Sequence, residues 1–313
     1  MKAISCQGLT KHYGNVIGLD NLNLDIEEGT IFGFLGPNGA GKTTTLKMLT
    51  GLSRPTSGRA WVAGEEITLY SSSLKRKIGY LPEEPAFYNW MTGREYLVFV
   101  GEIFRLSPGE IRTRCDELLE MVDLSQAASR RVGGYSRGMR QRLGIAQALM
   151  NKPKVLFLDE PSSALDPIGR LEILKTITRL KTQATTVFLS SHILADVERV
   201  CDVVGIIDEG RLIIESDIDD LREHFARSLF ELEFEEDAFP FIKLLEGLPW
   251  VEKVVLEEEK DTSKFTVRAS DMARGKRELP KLVAESGLTL RQYHLVMPTL
   301  EEVFIELLGK KED

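Results

Sequence analysis

Cysteine is scarce in this chain: Cys6, Cys115 and Cys201 are three among 313 residues, odd in number and far apart. Such spacing excludes a disulfide or zinc framework and predicts buried thiols in a reducing compartment. Long apolar runs are missing as well. No stretch reaches the roughly 18 consecutive apolar residues that a membrane-spanning helix needs, so none is expected to cross a bilayer unaided. The opening Met1-Lys2-Ala3-Ile4-Ser5 has no apolar core of the kind a secretion signal carries. Basic charge is in deficit. The net charge of −8 argues against nucleic acid as the main partner. The deficit sits at one end: Ser228 to Asp313 holds 19 acidic against 12 basic residues, a net of −7, and leaves −1 for the rest. With the length of 313 residues, this predicts two domains meeting near residue 225.

What is present is organised around Gly36-Pro37-Asn38-Gly39-Ala40-Gly41-Lys42-Thr43-Thr44. Its G-x-x-x-x-G-K-[ST] spacing is that of a phosphate-cradling loop. Ile31 to Leu35 before it reads as a buried strand and Lys42 to Leu49 after it as a helix, the context this motif requires. The glycines let backbone N–H groups converge on an anion, and the helix start adds unpaired donors and the positive end of a dipole. Lys42 supplies a full charge for the β and γ phosphates, and Thr43 a hydroxyl for Mg²⁺. A nucleotide site follows.

The first thirty residues alternate as strands, with Leu22, Leu24 and Ile26 on one face. Tyr13 is expected in the loop before them, either stacked on a purine base or simply at the surface. Ile78 to Leu81 reads as another strand, followed by an exposed apolar cluster, Phe87, Tyr88, Trp90 and Met91, that is core filler or a docking face. Thr92-Gly93-Arg94-Glu95 and Ser107-Pro108-Gly109-Glu110 fit the capping box. Ile111, Cys115, Leu118, Leu119 and Val122 then recur at helical spacing, so residues from about 92 to 150 form a helical insertion. Val155 to Leu158 suits a strand buried on both faces. It delivers Asp159 and Glu160 to the ligand edge, Asp159 to hold Mg²⁺ through water and Glu160 to orient or deprotonate an attacking water. Taken alone, that acidic pair reads equally well as a helix-start cap. Thr186 to Leu189 is a further strand, bringing His192 to the same edge, within reach of a γ-phosphate. A helix is expected from His192 onward with Ile193, Val197, Val200 and Cys201 on one face, and then a hairpin turn at Asp208-Glu209-Gly210. Past residue 225, Phe230, Leu232 and Phe234 alternate with Glu231, Glu233 and Glu235 as a strand. Further strands near 251–257, 264–269 and 289–297 alternate with helices near 239–247 and 273–286, a β-α-β-β-α-β order that resembles a ferredoxin-like module. Thr299 to Glu302 is a third capping box, opening an amphipathic helix with Leu300, Val303, Phe304, Leu307 and Leu308 on one face.

Tyr135-Ser136-Arg137-Gly138-Met139-Arg140-Gln141-Arg142 lies about twenty residues before the Asp-Glu strand. Together with the phosphate loop it resembles the signature motif of ABC-type ATPases. Ser163-Ala164-Leu165-Asp166 resembles their D-loop, His192 their switch histidine, Tyr13 their adenine-stacking aromatic and Glu160 their catalytic glutamate. The resemblance covers residues 1 to about 220, every motif in order. It implies an α/β P-loop NTPase core with an antiparallel β-subdomain and the helical insertion over 1–222, and a smaller α+β domain over 228–313. The Pro-Thr-Leu-Glu-Glu-Val-Phe ending is similar to the accessory domain of some export-type members. Two positions depart from the pattern. The signature usually reads Leu-Ser-Gly-Gly-Gln, and here Arg137 and Met139 replace the first Gly and the Gln, while Ser136 and Gly138 are kept. Glu83 stands where a Gln usually follows Tyr-Leu-Pro; a carboxylate there can ligate Mg²⁺ but is repelled by a triphosphate.

The family mechanism implies that ATP-Mg²⁺ on one subunit is covered by Ser136 and Gly138 of a second copy, with Asp166 at the same interface. It further implies an ATPase that powers transport, with export as the expected direction, a separate integral membrane permease as partner and a cytoplasmic place against the inner face of the membrane. The alternative is a soluble ABC ATPase acting on ribosomes or DNA, or a regulatory ATP sensor. Ribosome-acting members usually carry two cassettes, and DNA-acting ones insert coiled coils or zinc motifs that are not found between residues 42 and 136. The presence of both Asp159 and Glu160 argues against a sensor.

Overall fold

Apolar runs with no polar alternation can be buried only on both faces, and they build the central sheet. The computed structural model describes residues 1–69, 71–163, 165–181, 185–225, 228–257 and 263–309, the side chains of 257, 308 and 309 excepted. The chain divides into two compact units, Met1–Ile218 and Asp219–Asp313.

In chain order the first unit holds β1 (Lys2–Tyr13), β2 (Val16–Glu27), β3 (Ile31–Leu35), α1 (Lys42–Leu49), β4 (Ser57–Val62), β5 (Glu65–Glu66), α2 (Ser72–Lys77) and β6 (Ile78–Leu81). There follow α3 (Gly93–Ile103), α4 (Pro108–Met121), α5 (Arg137–Leu149), β7 (Val155–Asp159), α6 (Pro167–Lys181), β8 (Thr186–Ser191), α7 (Leu194–Val200), β9 (Val203–Asp208) and β10 (Arg211–Asp217). A six-stranded sheet runs β10-β9-β3-β8-β7-β6. Its strands are parallel from β9 to β6, and only β10 is antiparallel. The C-terminal ends of β3, β8, β7 and β6 therefore open on one edge, where ligands bind in sheets of this kind. Phe32, Phe34, Phe157 and Phe188 fill one face, with Phe188 5.3 to 5.8 Å from the other three ring centroids.

A second, antiparallel sheet, β2-β1-β4-β5, carries the amino-terminal strands. Tyr13 is not in a loop: it closes β1 and pairs with Val16 across a two-residue turn, which keeps it in the ladder. The helical insertion, α3 to α5, connects the paired neighbours β6 and β7. It packs directly on the sheet, since a Cβ at Gly79 would stand 2.1 Å from the Ala148 carbonyl oxygen. The helix expected from His192 begins only at Leu194 and ends at Val200. The Ile193 N–H bonds to Ser191 Oγ at 2.9 Å, a local side-chain turn that delays helix entry. Ile193 and Cys201 thus flank the helix as its caps. At the β9–β10 turn Glu209 and Gly210 have φ of 48° and 78°, the pair of positive angles a tight hairpin needs.

The second unit takes in α8 (Ile218–His224) from its second residue onward, and contains β11 (Leu229–Phe234), α9 (Phe239–Glu246), β12 (Val251–Glu257), β13 (Ser263–Ala269), α10 (Met272–Ser286), β14 (Leu290–Leu295) and α11 (Leu300–Gly309). Its sheet is ordered β12-β13-β11-β14, antiparallel throughout, the ferredoxin-like arrangement. Phe230, Leu232 and Phe234 point into a core with Phe241, Trp250 and Phe265. The Thr299–Glu302 capping box forms in both directions, and Leu300 and Val303 are buried. Leu308, expected on the same face, has its side chain outside the described residues. No described helix is long and apolar enough to cross a membrane.

Candidate functional site

The phosphate loop leaves β3 at the centre of the sheet and turns into α1, which no side chain caps. Its first N–H groups therefore stay available to an anion. Gly41, the residue before the helix, has φ 107°. Lys42 is 5% exposed and bends back over its own loop, donating from Nζ to the carbonyls of Gly36 at 2.7 Å and Pro37 at 3.1 Å. A third neighbour is Glu160 Oε1 at 3.3 Å, an oxygen that is buried with no hydrogen bond of its own. An enclosed lysine on two neutral carbonyls beside an unbonded carboxylate oxygen fits a group that an anionic ligand can draw away.

Asp159 ends β7, where its Oδ1 accepts from Ser190 Oγ at 2.6 Å and from Thr43 Oγ1 at 3.3 Å. Burial pushes its carboxyl above the ordinary range; the two hydroxyls pull the other way, and neighbouring Glu160 adds to the rise. Glu160 follows with φ 47°, a left-handed conformation that costs a non-glycine residue about 1–2 kcal/mol. It is held there by its N–H, which bonds the Ser190 carbonyl and hydroxyl, each at 3.1 Å. Its Oε2 faces His192 Nδ1 at 2.8 Å and lies 3.3 Å from the His192 backbone N–H. Lysine, carboxylate and imidazole are thus one contiguous string.

These groups lie in or beneath an open cleft of about 620 Å³. Asn38, Gly39, Gly41, Lys42, Thr43 and Thr44 line its phosphate end, Glu160 and His192 its wall, Glu83 its rim, and Tyr13 with Val16 and Ile17 its far end. Gly36, Pro37 and Ala40 shape the loop from behind and do not line it. Ser136, Gly138 and Asp166 are outside it. Ser136 is exposed and caps α5 through the Met139 N–H at 3.2 Å. A Cβ at Gly138 would stand 4.0 Å from Gly169 and Leu165, and Asp166 Oδ1 accepts from the Gly169 N–H at 2.9 Å. The signature and the Ser163–Asp166 segment are therefore side by side on this molecule, Ala164 lying outside the described residues. Ser190 was not singled out from the sequence, although it anchors both Asp159 and Glu160. Its signal is two serines directly before a histidine at a strand end.

Among the described residues no three His, Cys, Asp or Glu side chains gather as a metal cluster. Thr43 and Asp159 offer two hard oxygens, which fits Mg²⁺ only when phosphates and water complete the shell.

A family model described as ABC transporter matches residues 19–163, and one described as the C-terminal domain of DrrA1-3-like ATP-binding proteins matches residues 217–308. The chain is 40% identical over 304 residues to the uncharacterized ABC transporter ATP-binding protein YxlF of Bacillus subtilis, covering 97% of this chain and 99% of that one. It is 38% identical to the bacitracin transport ATP-binding protein BcrA of Bacillus licheniformis, with 98% and 97% covered. For the daunorubicin resistance ATP-binding protein DrrA3 of Streptomyces coeruleorubidus the identity is 33%, with 98% and 96% covered. Among solved structures, an ATP-binding subunit of an ABC transporter superposes with TM-score 0.65 at 30% identity, over 71% of this chain and 93% of that one. A dimeric ATP-binding cassette holding ADP and phosphate after hydrolysis gives 0.62 at 27%, over 69% and 98%.

Proposed function

The chain belongs to the ATP-binding proteins of ABC transporters, ATPases that power transport, and we propose that it drives export through a separate membrane-spanning permease by ATP-driven closure of a homodimer. Export is supported by the relatives named for bacitracin transport and daunorubicin resistance. Residues 1–222 are assigned to the ATPase domain and 228–313 to an accessory domain, the whole held peripherally at the inner membrane face by the permease.

The observation that carries the residue roles is the string Lys42–Glu160–His192 at the sheet edge. Lys42 leaves the loop carbonyls for the β and γ phosphates, which releases Glu160 Oε1 to accept the proton of the attacking water. Glu160 Oε2 stays with His192, so the carboxylate keeps its aim while one oxygen is free. Thr43 and Asp159 are the residues that would hold Mg²⁺, which would neutralise charge on the phosphates. Tyr13 receives the adenine, and the phosphate-loop N–H groups bind the anion. Ser136, Gly138 and Asp166 of the same chain are not among the residues lining the cleft, and a second copy supplies these three groups across a two-fold axis. Neither half is complete alone, which links hydrolysis to closing and opening.

Glu83, exposed at the rim, contributes less than buried Glu160, which is 6% exposed. In the purified full chain, Glu160→Gln is expected to bind ATP, form an ATP-dependent dimer and lose turnover by 100-fold or more. Glu83→Gln loses less, and Lys42→Ala abolishes nucleotide binding. Turnover of Glu160→Gln at the unmodified rate would refute the assignment.

A further inference from the structure

Behind the cleft a second carboxylate is sealed into the protein. Asp196, on α7, is 1% exposed, and Ser162 is 3% exposed. Ser162 Oγ donates to Asp196 Oδ2 at 2.5 Å, and Arg170 on α6 donates from Nε to Asp196 Oδ1. None of the three lines the nucleotide cleft.

Burying an ionised carboxylate costs several kcal/mol unless it is paired and hydrogen-bonded. The neighbouring inward positions of α7, Val197 and Val200, are apolar, and Val197 packs so closely on β3 that a Cβ at Gly33 would stand 2.4 Å from it. An apolar residue at 196 would serve packing equally well. The charge therefore calls for a positional reason. The three groups are not a hydrolytic triad: no histidine joins them, and the hydroxyl is closed off from solvent.

Connectivity supplies that reason. Ser162 lies two residues after Glu160, and Asp196 four residues after His192. Glu160 and His192 face each other at 2.8 Å, and Ser162 and Asp196 at 2.5 Å. The segments leaving β7 and β8 are thus tied twice, once at the cleft wall and once behind it. Ser190 holds the Glu160 backbone N–H, and the Ser162–Asp196 tie fixes the segment that leads away from Glu160, so that segment cannot rotate and carry the carboxylate out of line with His192. Arg170 fastens the same carboxylate to α6.

We propose that Ser162, Asp196 and Arg170 form a clasp that holds the Glu160–His192 pair in register for catalysis. They are positioning residues, and the proposal rests on the reading of Glu160 and His192 given above. Misplacing a catalytic group by about 1 Å can cost ~100-fold in rate, while the phosphate loop that binds nucleotide is built from β3 and α1 and does not depend on the clasp.

The test is steady-state ATP hydrolysis by the full chain. Ser162→Ala removes one hydroxyl and no charge; it is expected to lower kcat 10-fold or more with KM for ATP changed less than two-fold. Ser162→Thr, which restores the hydroxyl, is expected to recover at least half of the lost rate. If Ser162→Ala fails to fold, Arg170→Lys takes its place, with the same split expected. A kcat within two-fold of the unmodified chain, or a parallel rise in KM, would overturn the clasp. Glu160→Gln run alongside separates the two failures. If it is inactive while Ser162→Ala is unimpaired, only the clasp falls; if it turns over normally, the underlying reading falls.

Discussion

Single residues in the phosphate loop differ in what a methyl group would meet. At Gly39, φ is 88° and nothing lies within 4 Å of an added Cβ. Alanine there costs only backbone strain, about 1–2 kcal/mol, which corresponds to a loss of roughly 5- to 30-fold if it appears in binding. At Gly41, φ is 107° and the added Cβ would stand 2.4 Å from the Gly18 carbonyl oxygen. That oxygen belongs to β2, beside the base end of the cleft, so the clash cannot be relieved by a side-chain rotation. Gly41→Ala must displace either the loop or the strand. It is expected to weaken binding of a non-hydrolysed ATP analogue more than 100-fold, and Gly39→Ala less than 30-fold, in calorimetric titration of each variant. Equal affinities for the two would mean that the approach of Gly41 to Gly18 does not matter for nucleotide binding.

Elements in this chain owe their ends to local chemistry and their faces to the core, and the two contributions can be separated in α4. Ser107 and Glu110 cap each other: the Ser107 N–H bonds Glu110 Oε2 at 2.8 Å, and the return bond from the Glu110 N–H to Ser107 Oγ is long, 3.4 Å. Ser107→Ala is therefore expected to cost about 1 kcal/mol, while Leu118→Ala, in the buried face of the same helix, costs about 2–5 kcal/mol in denaturant titration. A larger loss from the cap than from Leu118 would reverse that ranking. Such caps were legible because donor and acceptor lie three residues apart, and so were the strands, whose apolar runs admit one environment. The Asp196 clasp was not legible. It joins residues 34 and 26 positions apart in sequence, and sequence alone does not set which side chains meet at that distance. Its faint trace was an acidic residue beside Val197 on the inward face of a short helix. Glu160 was legible as a carboxylate after a strand; its left-handed backbone and its ion pair with Lys42 depend on Ser190 and the loop meeting it in space.

At the scale of the whole molecule, each unit encloses its own core, around Phe32, Phe34, Phe157 and Phe188 in the first and Phe230, Phe234 and Phe265 in the second. Every residue lining the nucleotide cleft comes from Met1–Ile218. A ligand stabilises only the cooperative unit that binds it, by about 2.7 kcal/mol at 100 times its Kd. For a unit of this size that shift is about 5–11 °C in Tm. Scanning calorimetry of the full chain with a non-hydrolysed ATP analogue is therefore expected to raise one transition by this amount and leave the other in place. The unmoved transition is assigned to Asp219–Asp313 by substituting Phe265→Ala, which should lower that transition alone. If the analogue moved both transitions together, or if Phe265→Ala shifted the nucleotide-sensitive one, the two cores would unfold as a single body. The accessory unit would then share directly in the energetics of the ATP site.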